Sequence, residues 1–118
     1  MKKSLTSKNL AALVLGAIIS APALAADQKV LDEGKNIAFD RSKGNCLACH
    51  MIQGGEIPGN IGPPLIAMQA RYPDKQALRD YIWDPSQKNP NTLMPPFGMN
   101  QVLSEEELDK LVEFIHSL

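Results

Sequence analysis

Cys46-Leu47-Ala48-Cys49-His50 constrains this chain more than any other stretch. Two cysteines three apart, with a histidine directly after the second, form the attachment signature of a c-type haem. The spacing has a chemical reason. Each thiol can add to one vinyl group of the porphyrin, and the two thioethers staple the macrocycle to the chain. The next residue, His50, is then carried beneath the iron, where an imidazole nitrogen is a normal ligand. Cys46 and Cys49 are therefore the candidate covalent anchors of one haem c, and His50 is a candidate axial ligand. A local Cys46–Cys49 disulfide and a redox dithiol of the thioredoxin kind are the competing readings of the cysteine pair. The adjacent histidine favours haem.

The chain opens Met1-Lys2-Lys3, has Lys8 nearby, and runs through the apolar residues 10–19 before Pro22 and Ala23-Leu24-Ala25. A cationic start, a short apolar run and an A-x-A site read as a secretory signal peptide. Ten apolar residues are too few to span a bilayer, which sets aside an uncleaved membrane anchor. Cleavage is expected after Ala25, with Ala26 as the next best site. Residues 1–25 are then the leader and residues 26–118 a single small domain, exported to the periplasm. Removing Lys2, Lys3 and Lys8 leaves nine cations against 13 acids over 93 residues, a net charge of −4. That balance argues against a nucleic-acid partner, and no other run is apolar enough to anchor the product in a membrane. In an oxidising compartment a plain disulfide would be expected. However, a bridge closing so short a segment adds little, whereas a buried haem adds much to a domain with a marginal core. Three Phe, two Tyr and one Trp are few, which fits a core made partly of cofactor.

Residues 30–39 carry Val30, Leu31, Gly34, Ile37 and Ala38 at helical spacing. Gly34 in a helix interior costs about 1 kcal/mol relative to alanine, so close approach of another helix is expected there. Gly44 permits a tight turn before Cys46. Residues 53–64 hold four glycines and three prolines, which excludes regular structure and predicts a loop along the haem edge. A metal-bound histidine usually donates its other ring N–H to a carbonyl or carboxylate, and the carbonyl of Pro63 is assigned that role. Residues 65–70 can form a helical turn. Asp74 is a candidate N-cap for a helix over 75–83, with Ala77, Leu78, Tyr81 and Ile82 as its apolar stripe and Pro85 as its stop. A proline-rich loop over 89–98 follows. Ser104 and Glu107 then form a capping box for a last helix with Leu108, Leu111, Val112, Ile115 and Leu118 on one face. No strand-like alternation is present.

The iron needs a sixth ligand or an open site. Met51 follows His50 and cannot easily reach the opposite haem face. Met68 falls in a short helix and reads as packing. Met94 sits in a loop stiffened by prolines, which suits holding a thioether at an iron, so Met94 is the candidate second axial ligand and Met99 the alternative. His116 reads as a surface residue.

The order of these elements resembles a class I cytochrome c, an all-α fold of three to five helices around one covalently bound haem. In that family the first and last helices cross at glycine and aromatic positions, which Gly34 and Phe114 match. A narrower resemblance covers nearly all of the mature chain. Gly44-Asn45-Cys46-Leu47-Ala48-Cys49-His50, Gly59-Asn60-Ile61-Gly62-Pro63-Pro64-Leu65, Arg71-Tyr72-Pro73-Asp74, Ile82-Trp83-Asp84-Pro85 and Asn91-Thr92-Leu93-Met94-Pro95-Pro96-Phe97-Gly98 look like the SoxX family, small cytochrome subunits of bacterial sulfur oxidation. The resemblance implies a heterodimer with a SoxA-like cytochrome, acting as an L-cysteine S-thiosulfotransferase that joins thiosulfate to a cysteine of a sulfur carrier protein. It also implies a downstream cytochrome as electron acceptor. The chain itself shows no nucleophile-and-base constellation, so no catalytic residue is assigned. A free-standing periplasmic electron shuttle is the alternative function. The loops 58–65 and 91–97, with Phe97 as a contact, are expected to form a docking face around the haem edge.

Overall fold

The computed structural model describes the backbone from residue 22 and the side chains from residue 27 to the C-terminus at 118. Residues 1–21 of the predicted leader, and the side chains beside its cleavage site, lie outside the described residues. Among the described residues four α-helices follow one another: α1 Pro22–Phe39, α2 Met68–Arg71, α3 Lys75–Trp83 and α4 Glu105–His116. No strand occurs among the described residues, as the absence of alternation predicts. None of the helices described is long and apolar enough to cross a membrane. α1 extends further towards the N-terminus than the expected 30–39. α2 is offset from the expected turn because Ala67 adopts a left-handed conformation, φ 52°, and starts the helix at Met68.

α1 and α4 make the main contact, with α3 packed on α4. Gly34 is where they cross. A Cβ there would collide with the Lys110 carbonyl oxygen and lie 2.8 Å from both the Lys110 carbonyl carbon and Phe114 Cβ. The close approach expected from an interior glycine is thus to the backbone of α4, and Phe114 is its partner. Phe39 stands edge-on to Phe114, ring centres 6.2 Å apart, a favourable aromatic geometry. Around this crossing Ile37, Ala38, Leu108, Leu111, Val112 and Ile115 are buried.

The caps work as their residue types require. Ser104 accepts from the Glu107 N–H at 3.2 Å, and Glu107 accepts from the Ser104 N–H at 3.1 Å, closing both halves of the capping box. Asp74 accepts from the Gln76 N–H at 2.9 Å at the start of α3. α3 stops at Trp83, since Asp84 precedes a proline and is extended at φ −149°. The chain beyond it folds back on α3. The N–H groups of Phe97, Gly98 and Met99 donate to the carbonyls of Ile82 and Trp83, each at 3.2 Å. Gly98 lies against the Trp83 ring, which leaves no room for a side chain. This return fixes the loop carrying Met94 relative to the core.

Candidate functional site

The cysteine–histidine segment hangs from the end of α1. The Gly44 N–H donates to the Ile37 carbonyl at 3.0 Å, and a Cβ at Gly44 would sit 2.8 Å from that oxygen. This is the tight turn the glycine predicts. Cys46–Ala48 then form one 3-10 turn, with the N–H groups of Cys49 and His50 donating to the Cys46 carbonyl at 3.2 and 2.8 Å. Cys46, Cys49 and His50 are therefore held in a single compact turn.

The glycine–proline loop runs beside that turn and is tied to it at three points. The N–H groups of Gly59, Gly62 and Leu65 donate to the carbonyls of Leu47, Cys49 and Met51 at 2.7, 2.8 and 2.9 Å. Small residues make this possible. A Cβ on Gly62 would lie 2.6 Å from His50 Nδ1 and 2.8 Å from Nε2. The register places the Pro63 carbonyl 2.7 Å from His50 Nδ1, the partner expected from sequence. A carbonyl has no proton to give, so Nδ1 must donate, and the neutral ring then keeps its free lone pair on Nε2. That is the tautomer an iron-binding imidazole needs.

Cys46, Cys49, His50 and Met94 all line one cavity of about 700 Å³. Its size falls in the range of cofactor sites, about 300–1,000 Å³. Apolar side chains close it, among them Leu65, Leu78, Ile82, Phe97, Leu111 and Ile115. Arg41, Lys43, Asn89 and Asn91 bring polar groups to the same space. Two thiols, one correctly protonated imidazole, one thioether and an apolar slot together fit a covalently held haem. The dithiol alternative fits less well. Burial pushes the Cys46 thiol up to about 11, whereas a reactive dithiol needs a depressed value.

The methionines separate clearly. Met94 is half-buried, packs against the core and lines the cavity. Met99 is 60 % exposed and Met51 47 % exposed, and neither lines it. Met68 also reaches the cavity, but it is buried and its sulfur already accepts from Arg71 Nη1 at 3.3 Å.

Two expectations from sequence need correction. His116 is half-buried rather than on the surface, and its Nε2 donates to the Tyr72 carbonyl at 3.0 Å. Phe97 is buried at 7 % exposure and lines the cavity, so it cannot be a docking contact. The large hydrophobic residues those two loops do expose are Ile61 and Leu93. Sequence reasoning also missed Arg71, which donates to the Pro64 carbonyl at 2.9 Å. Its spacing of three from Met68 signals only the contact with that sulfur, and the bond to Pro64 has no local signal.

An uncharacterised lipoprotein of Aquifex aeolicus (strain VF5) is 35 % identical over 75 residues, which is 63 % of this chain and 36 % of that protein. The chain thus spans about a third of the length of the curated relative it matches. The cytochrome c family profile matches residues 31–118. On that match the chain belongs to the cytochrome c family, the class I c-type cytochromes, whose domain binds covalently attached haem c and serves in electron transfer.

Proposed function

We propose that this chain is the electron-transfer subunit of a periplasmic SoxAX-type complex, paired with a SoxA-like cytochrome. Cys46 and Cys49 carry the thioether links, and His50 and Met94 are the axial ligands. One observation carries the ligand assignment: all four residues converge on a single apolar cavity, with His50 fixed by Pro63 in the tautomer that frees Nε2. Haem c supplies one-electron chemistry at its iron. The residues of this chain bind it, orient it and exclude water. Histidine–methionine ligation favours a high potential, which suits an electron acceptor.

The wider role is supported by the motifs over 44–50, 59–65, 82–85 and 91–98. The chemistry is compatible. Joining thiosulfate to a cysteine thiol forms one S–S bond and releases a proton and two electrons. Cys46 and Cys49 are consumed as thioethers in this reading, so the substrate is handled on the partner. This chain takes electrons one at a time and passes them to a downstream cytochrome. The relative's description as a lipoprotein supports an exported location.

Purification of the native protein tests the assignment. Co-elution with a second haem-staining chain, and reduction of the pair by thiosulfate only when a carrier protein with a free cysteine is present, is the expected result. Elution as a monomer that exchanges electrons with other cytochromes but ignores thiosulfate would make the chain a free-standing shuttle instead.

A further inference from the structure

Arg71 stands at the end of α2, and one nitrogen of its guanidinium serves two acceptors, the carbonyl of Pro64, which adjoins the cavity-lining Pro63, and the sulfur of the cavity-lining Met68. Nη1 donates to the Pro64 carbonyl at 2.9 Å and to Met68 Sδ at 3.3 Å. Pro64 adjoins Pro63, whose carbonyl accepts from His50 at 2.7 Å. The peptide unit joining Pro64 to Leu65 is held at both ends. Its oxygen is held by Arg71, and its N–H donates to the carbonyl of Met51 at 2.9 Å. Two prolines then pass this constraint backwards. The ring of Pro64 locks its own φ, and a residue before proline, here Pro63, is confined to extended backbone. Between the held peptide unit and the Pro63 carbonyl, ψ of Pro64 is the one soft torsion left.

We propose that Arg71 is a positioning residue for the axial histidine: by holding the Pro64 carbonyl it fixes the Pro63 carbonyl against His50 Nδ1. The inference rests on His50 binding the haem iron. A hydrogen bond from a cation is about twice as strong as a neutral one, so Arg71 is the firmest anchor on this short loop. The Nδ1–H bond sets the ring orientation and the basicity of Nε2. Through it, Arg71 acts on the ligand without touching the iron.

The test is the exchange rate of the His50 Nδ1 proton, followed by NMR in the ferrous holoprotein. Arg71→Met keeps the apolar stem and removes every donor. The proton should exchange about ten-fold faster, the size expected for loss of one hydrogen bond to a charged group. Covalent haem and the Met94 methyl signals should be unchanged. A native exchange rate overturns the proposal. So does a shifted potential with a native exchange rate, because that reports only the lost charge near the haem. Should Arg71→Met fail to take up haem, Arg71→Lys carries the same test. It keeps the charge but replaces the fork by a single point donor, and should exchange several-fold faster. The native spectrum separates the two layers: if the His50 ring protons lack the ring-current shift of a haem-bound imidazole, the ligand assignment fails rather than the role of Arg71.

Discussion

Replacing Gly34 with alanine should destabilise the fold, and the crossing of α1 and α4 gives the size. The added methyl would sit 2.8 Å from the Lys110 carbonyl carbon and from Phe114 Cβ, and would overlap the Lys110 oxygen. Carbon atoms rest at about 3.5–4.0 Å, so the helices must part by about 1 Å. A gap of that size forfeits a quarter to a half of the dispersion between facing atoms. Two of the obstacles are backbone and the third is a Cβ, so none can swing aside. Overpacking costs about 1–3 kcal/mol, and rigid neighbours place this case near the top. Alanine returns about 1 kcal/mol through its helix propensity. The net loss is about 2 kcal/mol, and at about 4–8 °C per kcal/mol for a domain of this size Tm falls by roughly 8–16 °C. Thermal unfolding of the ferric holoprotein, followed by far-ultraviolet circular dichroism, measures it. An unchanged or raised Tm would refute the reasoning, since propensity alone stabilises the variant and only a close crossing reverses the sign.

Two further outcomes are expected. Gly62→Ala drives a methyl into the His50 ring, 2.6 Å from Nδ1, so it should break the bond to Pro63 and yield haem spectra lacking normal axial ligation, with at least a ten-fold fall in electron-transfer rate. A native spectrum would show that the ring has room. Asp84 is buried and accepts from the Ser86 hydroxyl at 2.5 Å, from Gln87 Nε2 at 2.8 Å and from the Ser86 N–H at 3.1 Å. These bonds, the Ser86 hydroxyl foremost, hold its carboxyl below the usual carboxylate range. A depressed folded value stabilises the protein above the ordinary carboxylate pKa, and the gain is lost as pH falls through the depressed value. Asp84→Asn should therefore lower stability at neutral pH and flatten its acid-side decline, and denaturant titrations from neutral pH to about pH 3 would check both.

What could be read from the chain depended on how local the governing interaction was. Ser104 with Glu107, Asp74 with α3, and Pro85 after Asp84 are contacts within a few residues, and each forms as its residue types require. Gly34 was legible for a different reason. A glycine in a helix interior is a cost without a local benefit, so a partner had to exist, and Phe114 was the matching position. The Pro63 carbonyl was reached through chemistry, because an iron-binding imidazole needs an acceptor for its other nitrogen. Phe97, His116 and Arg71 were not legible. Phe97 follows two prolines and looks like a loop residue, yet the bonds of the next turn back onto Ile82 and Trp83 carry it into the core. His116 and Arg71 owe their partners to where α2 lies. The Met68 N–H donates to the Leu118 carbonyl at 2.8 Å, which brings Tyr72 within reach of His116 and Pro64 within reach of Arg71. No local pattern in the sequence encodes that juxtaposition.

The central claim is that one cavity holds a haem attached at Cys46 and Cys49 and ligated by His50 and Met94. The most direct measurement is the near-infrared sulfur-to-iron charge-transfer band of the ferric protein, recorded for the native chain and for Met94→Ala, Met99→Ala and Met68→Leu. The band should vanish in Met94→Ala alone, while a pyridine haemochrome assay still reports covalent haem in all four. Survival of the band in Met94→Ala, or its loss in Met99→Ala, would contradict the account.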